Sequence, residues 1–546
     1  MKIAISLSVT LQLAVSLPLF TQGTLSYSHL PIVVLQTNGQ AVPDEPKITA
    51  RMGIVYHTDG SLNHPNDPFN VYDGFIGIEK RGSSSFYYEK TPYTIELRNE
   101  EGEDEDASIL GMPAESDFAL ISPLNDKTLI RDVMAHHLGR QALSWSPRTR
   151  MVEVVLNGEY IGVYTLIETI KRGADRVAVS KLKEDDTQGV DVTGGYIFRI
   201  DKFGPPPGDV GGHWISPYPP VPNSWQSTWY QHVYPKVDEI QPQQQIWIRQ
   251  HIHQFETAML APNASDHVAE WIDIDAWVNY ALVEELGKNT DGYRLSAYLY
   301  KDRNDAPGGG KIAAGPLWDF NIAFGIGDYC GGSDWAGWAK DFNLICGDDS
   351  WVIPYWWATI WNSPVFQQRL SQRWHTLREG VWSDAALIHT VDSLKNVIGP
   401  AASRNFNRWP VLGTYVWPNA YIGFTWEQEM NYFKNWLLAR AAWMDANIPA
   451  QTTQLNDTAF AQNNFWVYPN PVEDRLYIKT NARAVPEQFH LALFDAKGKM
   501  VLEQRWMSAN GVTWTDLPPN LPAGAYWCRF TSPYGDLLRS VTLLKR

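Results

Sequence analysis

Apolar residues along this chain repeat with two periods, and the switch between them sets the expected architecture. Pro31-Ile-Val-Val-Leu35 is rich in β-branched residues, Asn38-Gly39 is a turn signal, and Lys47 to Ile54 alternates apolar with polar. A second β-rich stretch runs from Tyr72 to Leu97. It ends in the acidic run Glu100 to Asp106, whose tandem acids and lone Gly102 lack the spacing of a Ca²⁺ loop and read as a solvated turn. Val152 to Leu156 and Ile161 to Ile167 flank Asn157-Gly158, and Asn-Gly supplies the positive φ values of a type I′ turn, so a hairpin is predicted. A helical period covers Thr128 to Arg140, Gln245 to Leu260, Ile272 to Leu286, Val365 to Leu377 and Trp426 to Ala446. The expected class is therefore α+β, a β-rich N-terminal portion followed by a mainly helical one, with the Pro- and Gly-rich stretch Pro205 to Pro222 as an exposed loop between them.

Both ends depart from this pattern. Lys2, the mostly apolar run Ile3 to Leu19 and the small residues around Thr21 to Thr24 read as an export signal, residues 1–23, cleaved near Gly23. Ser6, Ser8, Thr10, Gln12 and Ser16 make that run too short and too polar for a membrane span, and no other segment qualifies; no integral span is expected once the signal is removed. Polar residues dominate Pro449 to Asn464, and residues 451–464 are expected to be a linker after a domain covering 28–450. Beyond it, short strands separated by turns such as Asp495-Ala-Lys-Gly498 predict a small β-sandwich over residues 465–546.

Composition narrows the function classes. With 44% hydrophobic and 19% charged residues the chain is ordinary globular protein, not a disordered one. A formal net charge of −15, from 45 basic and 60 acidic residues, argues against generic nucleic-acid binding, and no local basic patch reverses it. The 25 Trp residues invite a sugar-stacking reading, but aromatic rings bury large areas wherever they occur, and packing is the weightier explanation. Export to an oxidising compartment makes cysteine spacing informative. Cys330 and Cys346 lie close together in a Gly- and Trp-rich region and are expected to form a disulfide, leaving Cys528 alone.

Four segments carry candidate chemistry. Arg81-Gly-Ser-Ser-Ser85 joins a cation, a glycine and three hydroxyls, groups that all favour an anion, and Lys90 follows on what reads as a strand, facing either a phosphate or solvent. Asn125-Asp-Lys-Thr-Leu-Ile-Arg131 precedes the first helix, so Asn125 or Asp126 is read as its cap, with Arg131 facing either solvent or a site. Asn157-Gly-Glu-Tyr160 begins a hairpin strand that ends in Leu166-Ile-Glu168. Finally, Asp291 and Asp319 each stand at a polar turn beside an apolar strand-like run, 28 residues apart. Phosphoryl transfer needs one carboxylate to orient the attacking hydroxyl and others to hold Mg²⁺ on the phosphates. Other chemistries lack their residues: no Gly-x-Ser-x-Gly elbow is present, and His136-His137 and His251-Ile-His253 have no zinc-type spacing partner.

These segments in order, Arg81-Gly-Ser-Ser-Ser85, Gly111-Met-Pro113, Asp126-Lys-Thr-Leu-Ile-Arg131, Asn157-Gly-Glu-Tyr-Ile-Gly-Val-Tyr164, Thr193-Gly-Gly-Tyr196, Asn289-Thr-Asp291 and Trp318-Asp-Phe320, resemble the CotH family of atypical protein kinases. The resemblance implies a remote, two-lobed protein-kinase-like fold that uses ATP and Mg²⁺ or Mn²⁺. It implies Asp291 as catalytic aspartate and Asp319 as metal-binding aspartate, with Ser296 and Asn321 as further metal ligands. Lys90, Arg81 and Glu168 would form the nucleotide-binding set, with Lys90 clamping phosphate. Two departures weaken the metal set: Ser296 stands where a kinase catalytic loop has Asn, and Asn321 where the family often has a second Asp. Val467-Tyr-Pro-Asn-Pro471, Leu476-Tyr-Ile478, Phe494-Asp-Ala-Lys-Gly-Lys499 and Leu521-Pro-Ala-Gly-Ala-Tyr526 resemble the C-terminal sorting domain of type IX secretion substrates. The expected function is thus an exported kinase acting on secreted or surface proteins, passing through the periplasm and engaging the type IX machinery. The alternative is a surface binding or adhesion protein that keeps the fold with little or no turnover.

Overall fold

Seven strands near the N-terminus close into a barrel because their inward positions are almost uniformly branched and apolar. In chain order they are β1 (Ile32–Gln36), β2 (Ile48–Val55), β3 (Tyr72–Lys80), β4 (Tyr93–Arg98), β5 (Asp117–Ile121), β6 (Thr149–Leu156) and β7 (Glu159–Glu168). Their order around the ring is β1-β2-β3-β4-β5-β7-β6, closed by the parallel pairing of Ile32 with Glu153 through Leu35 with Leu156. Val33, Leu35, Met52, Ile76, Ile78, Ile95, Leu97, Phe118, Leu120, Val152, Val154 and Leu166 are buried together inside it. Each such side chain contributes about 1.5–3 kcal/mol by leaving water, so the interior is a packed core and not a channel. The β6–β7 turn is made by Asn157 at φ 51° and Gly158 at φ 84°, the conformations expected from Asn-Gly.

The computed structural model describes residues 23–82, 88–202 and 212–449, and in the C-terminal part 465–468, 472–480, 488–495, 497, 499–507, 511–531 and 537–545. Residues 1–22 of the expected 1–23 signal, the Ser83 to Ser85 hydroxyl run, part of the Pro205 to Pro222 loop, the 451–464 linker and part of the Val467 to Pro471 motif lie outside the described residues. Two compact units result, Met1–Gln451 and Thr452–Arg546.

One expected element is shifted. The Tyr72 to Leu97 stretch is two strands, and β4 begins at Tyr93, directly after Pro92. Proline has no N–H to give to the ladder, so Lys90 precedes the strand and does not lie on it.

After the barrel comes a second sheet of β8 (Tyr196–Ile200), β9 (His213–Ile215), β10 (Trp229–Tyr234), β11 (Ala297–Lys301) and β12 (Ile312–Ala314), in the order β12-β11-β8-β10-β9. Helices dominate thereafter: Pro242–Met259, Ile274–Gly287, Pro364–Glu379, Asp384–Ile398, Ala401–Arg408 and Trp426–Asn447. Four of these match predicted helical stretches, and the first helix, Arg131–Ala142, matches another. Their common core is aromatic, with Trp277, Trp356, Trp374 and Trp382 fully buried, so tryptophan here packs. The C-terminal unit holds two antiparallel sheets, one of Phe465–Tyr468, Arg475–Thr480 and Gly511–Asp516, the other of Gln488–Phe494, Met500–Met507, Gly524–Thr531 and Leu537–Lys545. Leu476 and Ile478 of the first share a core with Leu491, Leu493, Cys528, Phe530 and Leu543 of the second.

Candidate functional site

Sheet register gathers the candidate residues at one edge of the second sheet. β11 runs antiparallel to β8 with Ala297 opposite Ile200, and to β12 with Leu299 opposite Ala314. The exit of β8, the entry of β11 and the exit of β12 therefore share one end. Asp201 follows the first, Ser296 precedes the second, and Gly315-Pro-Leu-Trp-Asp319 follows the third. Residues far apart in sequence meet because strands of opposite direction put alternate ends on the same side.

Asp291 reaches this edge from the helix Ile274–Gly287. Asp273 caps its start by accepting from the amides of Asp275 and Ala276, and Lys288 ends it in the left-handed region at φ 42°. Lys288 Nζ donates to the carbonyls of Asp334 and Ala336 at 2.9 and 2.6 Å, which fixes the turn that follows. In that turn Asn289 accepts from the Asp291 amide at 3.2 Å and donates to the Asp319 carbonyl at 3.3 Å, joining the two aspartate segments directly.

The result is a cleft of about 690 Å³, within the usual range for ligand sites. The barrel side supplies Glu79, Lys80, Arg81, Thr94, Ser122 and Asn125; the other side supplies Arg199, Asp201, Lys202, Asp291, Ser296, Trp318, Asp319 and Asn321. Five of the sequence-predicted residues thus converge: Arg81, Asp291, Ser296, Asp319 and Asn321. Arg81 stacks 5.1 Å from the Trp318 ring centroid, beside Asp319.

Two predicted residues do not join them. Lys90 is fully buried, with Nζ donating to the Val163 carbonyl at 2.6 Å and to Asn405 Oδ1 at 2.9 Å, and burial holds its pKa well below the usual lysine range. An ammonium so enclosed, outside the cleft lining, does not fit the phosphate-clamping position expected of it. Glu168 is likewise buried at the end of β7, its carboxylate taken by the Arg148 amide at 2.7 Å and guanidinium at 2.9 Å. It does not line the cleft. Arg131 faces neither solvent nor cleft: it is buried on Asp126 at 2.6 Å, and Asp126 also accepts the Arg131 amide at 2.8 Å, although Ile130 and not Asp126 or Asn125 occupies the N-cap position of the first helix.

Conversely, Lys80, Asp132, Arg199, Asp201 and Lys202 were not singled out from the sequence. Arg199, Asp201 and Lys202 had one visible signal, charged residues interrupting the apolar run Tyr196 to Ile200 at its exit. Asp132 had none, since an acid in a helix's first turn is ordinary.

Acids dominate the electrostatics. Burial and then the neighbouring carboxylates of Asp291, Asp132 and Asp201 push Asp319 up to about 7, while Arg81 opposes them. Burial also raises Asp291, against the pull of Arg294 and Lys202. Asp132, whose Oδ1 accepts from the Phe320 amide at 3.3 Å, is pushed up to about 6, again chiefly by burial. Asp319 itself has φ 65°, a conformation a non-glycine residue adopts only when its surroundings hold it. No hydrogen bond to its carboxylate is formed by any described residue.

That excess of acid, only partly offset by Arg81, Arg294 and Lys202, suits a hard divalent cation, and the donors at hand, Asp319, Asn321 and Ser296, are all oxygen ligands. Among the described residues no group of three or more His, Cys, Asp or Glu side chains is arranged to hold a metal. Mg²⁺ is commonly held by one or two carboxylates together with ligands from outside the protein, so Asp319, Asn321 and Ser296 are of the kind that would hold such an ion.

The expected disulfide joins Cys330 and Cys346, and Cys528 is buried with its thiol pushed up to about 12. Among the described residues no helix is long and apolar enough to cross a membrane.

Comparison with known families agrees with the resemblance read from the sequence motifs. Residues 78–444 match the family described as CotH kinase protein, and residues 466–541 match the secretion system C-terminal sorting domain. The latter indicates export to the cell surface or secretion, and engagement of the secretion machinery. No curated protein matches the chain.

Proposed function

The chain belongs to the CotH kinase family, and from that premise we propose that it is an exported protein kinase, dependent on ATP and Mg²⁺ or Mn²⁺, that phosphorylates secreted or surface proteins. The observation that carries this reading is the convergence of Asp291, Asp319 and Arg81 in one cleft between the barrel and the strand ends of the second sheet, which belongs with the helical part. On this reading those two parts are the lobes of a remote kinase-like fold, and the C-terminal pair of sheets is a β-sandwich sorting domain.

In the proposed reaction the acceptor hydroxyl oxygen attacks the γ-phosphorus, the bond to the β–γ bridging oxygen breaks, and ADP leaves with that electron pair. Asp291 orients the hydroxyl and takes its proton. Arg81 and Lys80 attract the phosphates, replacing Lys90 in that role, and Asp319 with Asn321 and Ser296 holds the metal. The ion, when bound, neutralises charge developing on the phosphate oxygens. The protein's contribution is positioning and preorganised charge, not covalent chemistry.

The full chain with Mg²⁺ and labelled ATP is expected to phosphorylate itself or a test protein, and Asp291→Ala to lose that transfer while still binding ATP. Equal inertness of both proteins with Mg²⁺ and Mn²⁺ would sink the enzyme reading. It would leave the second one, a surface-binding protein on the same fold, which the single carboxylate of the proposed metal set, with Ser296 and Asn321 as its neutral members, favours.

A further inference from the structure

Arg294 follows Asp291 by three residues in the same turn, its side chain is 2% exposed, and all five of its N–H groups have partners. Nε donates to the Thr290 carbonyl at 2.8 Å; Nη1 donates to Asp349 Oδ1 at 3.2 Å and the Trp351 carbonyl at 2.8 Å; Nη2 donates to Asp291 Oδ1 at 2.6 Å and the Tyr329 hydroxyl at 3.3 Å. Its guanidinium also lies 4.0 Å from the Phe342 ring centroid. A planar fork with every donor assigned has one orientation. It grips one oxygen of Asp291, and no described residue donates to the other, Oδ2, which stays available on the cleft wall.

The mount of this fork comes from elsewhere in the chain. Tyr329, Phe342, Asp349 and Trp351 belong to one segment, and the Cys330–Cys346 disulfide ties it across. Tyr329 also donates to Asp349, closing the same loop. The segment is fastened to the Asp291 region at two more points. Lys288 donates to Asp334 and Ala336, and buried Glu285 accepts from the amides of Ala339 and Lys340 at 2.8 and 2.9 Å. Most of the segment between the cysteines has no regular secondary structure, only the short helical turns Ala339–Asp341 and Phe342–Ile345. The covalent tie therefore limits how far Tyr329 and Asp349 can separate.

We infer that Arg294 is the positioning residue of Asp291, and that the Cys330–Cys346 disulfide, by tying the segment on which Arg294 is mounted, makes a competent site conditional on oxidation. The inference rests on the phosphotransfer reading of Asp291. It gives the protein a chemical reason to be idle in a reducing cytoplasm and active after export, since thiols form disulfides in the second environment and not the first.

The test uses the full chain as wild type, Arg294→Lys, Asp349→Asn and the double variant Cys330→Ser/Cys346→Ser. Initial rates of phosphate transfer are measured against ATP concentration, with and without a thiol reductant. A lysine keeps the charge and loses the fork, so Arg294→Lys is expected to lower kcat roughly 10–100-fold, the scale of a misplaced catalytic group, with KM for ATP little changed. Asp349→Asn is expected to follow in the same direction, and it removes a mounting charge without emptying the core, which guards against a fold failure in the first variant. Reductant should bring wild type down to the level of the double serine variant and leave that variant unaffected. Wild-type kcat in Arg294→Lys overturns the positioning role; a serine pair as active as oxidised wild type overturns the redox condition. Should wild type itself transfer no phosphate, the kinase reading fails separately, and crystal structures of wild type and Arg294→Lys still decide the positioning role. An Asp291 carboxylate displaced in the variant upholds it, and an unmoved one overturns it.

Discussion

Asn405 Oδ1 accepts from Lys90 Nζ at 2.9 Å and from the Val163 amide at 3.1 Å, so one side-chain oxygen joins β7 and the segment before β4 to the helix Ala401–Arg408. Lys90 therefore belongs to the seam between the barrel and the helical part. Lys90→Met keeps the stem and strands the buried Val163 carbonyl, while Asn405 Oδ1 keeps the Val163 amide, so the expected cost is about 1–3 kcal/mol for the one group left unsatisfied. Denaturant titration is expected to show that loss while calorimetric ATP affinity stays within about twofold. A fall in ATP affinity with intact stability would return Lys90 to the phosphates.

Asn321 lines the cleft two residues beyond Asp319, and its backbone carbonyl is fixed by Asn125 at 2.8 Å. The backbone is thus held whichever side chain stands there. Asn321→Asp is expected to tighten Mg²⁺ in the ATP complex by about tenfold, the equivalent of roughly 1.4 kcal/mol, because a carboxylate binds a hard cation better than an amide oxygen does. Metal titrations of ATP binding read this directly. An unchanged Mg²⁺ dependence would place residue 321 outside the metal's coordination shell.

His251 is sandwiched in the helical core between Trp247, 5.0 Å away and nearly parallel, and Trp271 at 5.7 Å. Burial, with a smaller push from Lys301, depresses its pKa to about 3. Because the folded value lies below the unfolded one near 6.5, the unfolded state takes up the proton first. The stability contributed by neutral His251 is present above pH 6.5 and is lost as pH falls toward 3. His251→Phe keeps the stacking without the titration, so its melting temperature should decline less between pH 7 and pH 5 than that of wild type. Parallel pH curves for the two proteins would rule the histidine out as a contributor.

Much of the fold was legible because local pattern and tertiary outcome agree. The Asn157-Gly158 hairpin, the helix Trp426–Asn447 and the early strands are where period and turn chemistry put them. The Lys90 strand was not, because Pro92 moves the ladder's start and a buried lysine leaves no trace in sequence. For the candidate site, Asp291 and Asp319 could be singled out as acids at the ends of apolar runs. The position of Glu168 away from the cleft lining, with its carboxylate on Arg148, could not be read locally.

By itself the sequence determined the two-part α+β layout, the family, the export route and the pairing of Cys330 with Cys346, all of which depend on order and spacing along the chain. Only the tertiary structure decided which charges share a cleft. Antiparallel register brings Asp201, Ser296 and Asp319 to one sheet edge, and the disulfide-tied segment brings Asp349 to Arg294, because such neighbours are set by strand direction and loop closure over distances that no local period encodes.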